Sequence, residues 1–207
     1  MSPFRYQKSN FKIMSIRLAF FINELVYLTG IQDAIRSRVL DAEIVGAVIT
    51  DQKDLIESPI TKGIPIYGEI DSLSQEEMYK DQVEWLEAYN PEWVVVAGWQ
   101  ESLDNLLNRY EYRVIHVDIK PALKQSPSIN EPDPIAAGLA ACQQGLAQEM
   151  HLIAYLLSKP NERGIVLESN STLIYKRDSM ETLSMRIQQA VAKTVVAALH
   201  RLTEGDD

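Results

Sequence analysis

His116 and Asp118 are the two side chains whose types and spacing best suit chemistry in this sequence. They stand two residues apart in RVIHVDI (113–119), a β-branched run that predicts a strand. Two residues apart on a strand, their side chains project from one face. A carboxylate beside an imidazole orients it and stabilises its protonated form, as general acid–base catalysis requires. The commoner use of such a spacing is a buried polar pair hydrogen-bonded at a strand end, and spacing alone leaves both readings open. His151 falls in an apolar strand and His200 near a helix C-terminus, where positive charge is favoured; both are expected to be structural. Three histidines without ligand spacing, with one cysteine, argue against a structural zinc site. Cys142 has no neighbouring base and lies on an Ala-rich helix, so an inert core thiol is expected. Glu76, Glu77, Asp81, Glu84 and Glu87 share one helix and read as a solvated face.

The elements that must position these residues alternate short apolar runs with amphipathic stretches. Residues 16–22 (IRLAFFI), 43–50 (EIVGAVIT), 93–97 (WVVVA) and 113–119 read as strands buried on both faces. A short strand is expected at 64–67, between Gly63 and Gly68. Helices are expected at 31–40, 75–89, 102–108 and 135–146, and residues 18–30 read as a buried strand running into a loop. Four of the nine prolines fall between Lys120 and Pro134, which predicts a long loop. Strands at 150–157, 164–168 and 172–175 follow, with a turn at 169–171. A final helix opens on a capping box of Asp178 and Glu181. It carries Leu183, Ile187, Val191, Val195 and Leu199 at i+4 spacing, a long core-facing stripe. A βαβα start with a more antiparallel end predicts an α/β fold, a three-layer α/β/α sandwich with a Rossmann-like, mostly parallel sheet.

The chain has 207 residues, 46% of them hydrophobic, enough for one packed domain at 15–204 behind a polar extension at 1–14 expected to be poorly ordered. A net charge of −9 argues against broad binding to nucleic acid or anionic membrane. Asn23 and Glu24 interrupt the apolar run near the N-terminus, so neither a signal peptide nor a span of roughly 20 apolar residues is expected. One cysteine permits no disulfide within the chain, which fits a reducing, cytoplasmic setting. No glycine occurs between Phe20 and Thr29, so the first strand leads into no phosphate-cradling loop.

The order WVVVAGWQESL (93–103), RVIHVDIKPAL (113–123), NERGIVLE (161–168) and DSMETLSMRI (178–187) resembles a known layout. IQDAI (31–35), DAEIVGAVITD (41–51) and KGIPIY (62–67) fit it too. It is that of the folate-dependent formyltransferases, most closely the phosphoribosylglycinamide formyltransferases, over roughly residues 15–200. The resemblance rests on order and hydrophobic pattern, while the diagnostic residues are altered. Where the family has a Ser-Gly-x-Gly-Ser-Asn loop for substrate phosphate, this chain has LVYLTG (25–30). The family's Asn-x-His pair, oxyanion donor and proton carrier, falls on His116 and Asp118. Its Pro-Ser-Leu-Leu-Pro stretch falls on IKPAL (119–123), without the serine. Its orienting Asp falls on Asn161, and the histidine of its Thr-Val-His strand falls on Ala154. The resemblance places Ala97 and Gly98 at the Leu-Ala-Gly turn beside the pterin, although a glycine there equally serves strand-to-helix packing.

Formyl transfer needs an amine nucleophile, a base and an oxyanion donor. Moving a histidine two residues along a strand displaces it about 6–7 Å, beyond a base's reach of about 3 Å. The resemblance therefore implies a formyltransferase-fold protein without catalysis, acting as a binding, regulatory or scaffold protein. Its ligand would be a small molecule, or a protein partner or second copy at an altered, apolar cleft around Leu25, Val26, Tyr27 and Leu28. The alternative is a divergent formyltransferase using 10-formyltetrahydrofolate, or a hydrolase using His116, Asp118 and Asn161. A cleft in which those three converge favours the enzyme; one filled by Tyr27, Trp99 or the loop at 119–134 favours the binding protein.

Overall fold

The computed structural model describes residues 15–50, 59–68, 74–99, 102–123, 133–159 and 164–204. The expected extension at 1–14, Asn161 and much of the Pro-rich stretch lie outside them. Six strands form one sheet: β1 (Ile16–Ile22), β2 (Ala42–Ile49), β3 (Trp93–Ala97), β4 (Val114–Pro121), β5 (Glu149–Leu157) and β6 (Ile165–Leu173). Their order is β2-β1-β3-β4-β5-β6. The first four run parallel, and β5 and β6 run antiparallel. The helices are α1 (Val26–Arg36), α2 (Gln75–Glu87), α3 (Asp104–Arg109), α4 (Pro134–Gln143) and α5 (Met180–Glu204).

Strand alternation divides the interior into two cores. Leu18, Phe20 and Ile22 pack with α1, α4 and α5 on one face, and Ala19 and Phe21 pack with α2 and α3 on the other. The expected three-layer arrangement follows from those two buried faces. Leu183, Ile187, Val191, Val195 and Leu199 of α5 are all buried, as their i+4 stripe predicts.

Several local expectations are corrected. Helix α1 begins at Val26, five residues before the expected start, and ends at Arg36. Tyr27, Leu28 and Ile31 bury their side chains, so the stretch read as a loop is the first turn and a half of a helix. Gly30, the last residue of that stretch, is where α1 and α5 cross: a Cβ there would lie 2.5 Å from that of Ala192. The expected strand at 64–67 reduces to a single bridge between Ala47 and Ile66. The strands expected at 164–168 and 172–175 are one, β6, paired with β5 through Ser169, Asn170 and Ser171. Strand pairing there overrides the turn preference of the Ser-Asn-Ser run. At the start of α5 the reciprocal cap is Ser179 with Thr182, not Asp178 with Glu181. Asp178 instead accepts the Tyr175 amide and pairs with Arg186.

The acidic helix α2 is not wholly solvated. Ser74 and Glu77 form its capping box, Asp81 accepts the Tyr67 hydroxyl at 2.6 Å, and Glu87 pairs with Arg109. Cys142 is buried with Sγ 3.6 Å from the Ile174 carbonyl oxygen. His151, expected within an apolar strand, projects to solvent from β5.

Candidate functional site

Parallel strands converge their carboxyl ends on one edge of the sheet, and ligands of open α/β folds bind there. At that edge β3 ends in Ala97 and turns at Gly98, whose φ of +65° is a left-handed conformation that favours glycine. The turn is wedged from the β1 side. A Cβ at Gly98 would collide with Asn23 Oδ1 and lie 3.0 Å from Tyr27 Cε2. Glycine is thus required twice over, by φ and by close approach.

A cleft of about 200 Å³ opens beside this turn, lined by Gly98, Trp99, His116, Asp118 and Pro134 among others. Pro134 is the first residue of α4, capped by Asp133, whose Oδ1 accepts the Ile135 amide at 2.8 Å. His116 and Asp118 therefore line one cleft, brought to the same face by their spacing on β4. Ala97 is buried with its side chain in the core, leaving Gly98 as the backbone that meets the cleft. Asn161 lies outside the described residues.

The electrostatics of the pair are uneven. Burial lowers the pKa of the His116 imidazole, and the neighbouring Asp118 charge opposes that shift. The hydrogen-bonded partner of Asp118 is Lys120, with Nζ 2.7 Å from Oδ2, rather than His116. That bond raises the Lys120 pKa. A neutral imidazole can accept or donate a proton. A carboxylate already paired with a lysine is a weaker orienter for it than one bonded directly to the ring.

Sequence reasoning named Tyr27 only as a cleft residue and gave Asn23 no place at the site. Tyr27 is buried against the Gly98 turn, and burial pushes its phenol far up, helped by the charges of Glu24 and Asp133. Asn23 Oδ1 is buried without a hydrogen-bond partner among the described residues. Such an orphaned acceptor costs about 1–3 kcal/mol unless a donor reaches it. The signal for Asn23 is visible in hindsight as a polar residue breaking an apolar run at a strand's carboxyl end. Trp99 is also buried, packing edge-on against Phe21 with ring centroids 5.2 Å apart. Tyr27 and Leu28 belong to the core, which corrects the expectation of an exposed apolar cleft there.

Typical ligand pockets measure about 300–1,000 Å³. The cleft beside Gly98, bordered by stretches outside the described residues, is smaller than that. Among the described residues no group of three or more His, Cys, Asp and Glu side chains gathers to hold a metal. Among them, too, no helix is long and apolar enough to cross a membrane.

Neither a protein-family model nor a curated protein sequence matches this chain. Solved structures do match its fold. Glycinamide ribonucleotide transformylase 1 from Symbiobacterium toebii superposes with a TM-score of 0.71 at 18% identity, over 96% of this chain and 92% of that one. Phosphoribosylglycinamide formyltransferase from Brucella melitensis gives 0.67 at 19% identity, over 93% and 98%. Formyltetrahydrofolate deformylase from Pseudomonas putida KT2440 gives 0.70 at 14% identity, over 92% of this chain and 66% of that one. This chain thus spans just under two thirds of that deformylase. Identities this low carry architecture rather than activity. The sheet order, its antiparallel end and these superpositions together establish that the chain has a formyltransferase-like α/β fold.

Proposed function

We propose that the chain is a binding protein on the formyltransferase-like fold, without formyl-transfer activity, acting as a regulator or scaffold in a reducing, cytoplasmic setting. The observation that carries this reading is the packing at the end of β1. Where the resemblance calls for a polar, glycine-rich phosphate loop, α1 begins at once and buries Tyr27 and Leu28. A seat for an anionic substrate needs converging backbone amides, and buried aromatic and aliphatic side chains stand in that place. The pairing of Asp118 with Lys120 supports the same reading. Because those apolar side chains face the core, the cleft suits a small molecule better than a protein partner.

A thermal-shift screen with reduced folates, formylated folates and ribonucleotide precursors tests this reading. A ligand at 100 times its Kd adds about 2.7 kcal/mol, roughly 5–10 °C for a chain of this size. A shift of that order, lost in His116→Ala at the cleft wall, supports a small-molecule site. No shift with any of them contradicts it.

One observation favours a second reading, a hydrolase. His116 and Asp118 line the same cleft, and hydrolysis takes water as acceptor, so it needs no phosphate seat. Release of formate from 10-formyltetrahydrofolate that disappears in His116→Ala would establish it.

A further inference from the structure

An open groove of about 500 Å³ lies between α1 and α5, away from the cleft, and Gly30, Ala34, Val39, Ala192, Val196 and Ala197 give it an apolar lining. Val39 is 57% exposed. The chain enters the sheet beside this groove. The Ile16 amide donates to the Asp41 carbonyl at 3.0 Å, and Ile16 lies in register with Ala42. Residues 1–14, outside the described residues, therefore join the fold a few residues from Val39.

Their composition complements the groove. Phe4, Tyr6, Phe11, Ile13 and Met14 supply apolar side chains. Arg5, Lys8 and Lys12 supply positive charge, while all 29 acidic residues of the chain lie beyond position 14. Asp33, paired with Arg36, and Lys193 both line the groove, so the cations of the segment match the acidic chain as a whole rather than the groove itself. Fourteen residues can reach about 46 Å when extended, and the α5 side of the groove, from Gln189 to His200, is about 16 Å long. Reach is therefore ample.

We propose that residues 1–14 fold back along α1 and α5 and cover this groove in cis, with their aromatic side chains against its apolar lining and their cations facing the acidic body of the chain. The argument is independent of whether the cleft catalyses anything.

Limited chymotrypsin digestion of the full chain, followed by intact mass, reads this directly through cleavage after Phe11. Val39→Lys alters an exposed groove residue outside the core, and Phe4→Ser alters the segment itself. The expected result is cleavage at least fivefold slower in the unsubstituted chain than in either variant, at a rate independent of protein concentration. Equal rates in the three proteins overturn the proposal. Protection that rises with concentration and tracks dimer formation by light scattering also overturns it, in favour of a second copy on the groove.

Discussion

His116 carries the acid–base potential of the cleft, and its environment sets what that potential is worth. Burial penalises the charged imidazole, so folding favours the neutral ring and its pKa falls below the usual 6.5. The sign follows from linkage: the unfolded chain binds the proton more readily in that range. The stability term is full above about pH 6.5 and declines as pH falls through the lowered folded value. Urea unfolding of His116→Gln across about pH 5–7.5 should show a shallower loss toward acid than the unsubstituted chain. Asp118 acts in the opposite direction by lifting the imidazole. Asp118→Asn should therefore move the His116 titration, followed by NMR, further down; an upward move contradicts this account.

Gly98 is the other decisive residue. Alanine there must adopt a left-handed φ and displace Asn23, so Gly98→Ala should cost about 2–4 kcal/mol in urea unfolding. Adding Asn23→Ala should recover the collision and leave the backbone strain of about 1–2 kcal/mol. Additive costs in the double variant would contradict the contact. Spacing alone brought His116 and Asp118 to notice, because strand alternation is local. Asn23 and Tyr27 gave no such sign, because their role depends on the turn after β3, some 70 residues away.

At the scale of elements, the crossing of α1 and α5 organises the larger core. Gly30→Val should overpack it and cost about 1–3 kcal/mol, and Ile187→Ala should open a cavity and cost about 2–5 kcal/mol, both read by urea denaturation. The stripe along α5 was legible because 25 residues of regular spacing outweigh any local ambiguity. The start of α1 was not, because Asn23 and Gly30 favour loops and Thr29 is a poor helix former. The requirement for Gly30 comes from Ala192, far along the chain. The edge strand β6 shows a related non-local device. Arg201 donates to the Leu167 carbonyl at 2.5 Å and Arg186 to that of Leu173 at 2.8 Å. These arginines occupy polar groups of an edge that also exposes Ile165 and Val166. Replacing both arginines with alanine should promote self-association, read as increased light scattering at fixed concentration.

At the scale of the whole molecule, the acidic net charge and the altered cleft fit together. An acidic surface keeps a protein soluble, and on the proposed reading, with buried Tyr27 and Leu28 where a phosphate loop would stand, the −9 chain need not attract an anion. The fold is shared with transformylases and deformylases at 14–19% identity, and function must be argued from the cleft alone. That cleft holds a half-buried histidine beside a carboxylate tied to a lysine, while Tyr27 and Leu28 are packed in the core next to it. The most direct test is single-turnover and steady-state assay of the full chain with 10-formyltetrahydrofolate, with phosphoribosylglycinamide as acceptor and with water alone. The account predicts no formyl transfer and no formate release above the level of His116→Ala. Turnover on either acceptor that His116→Ala abolishes would contradict it.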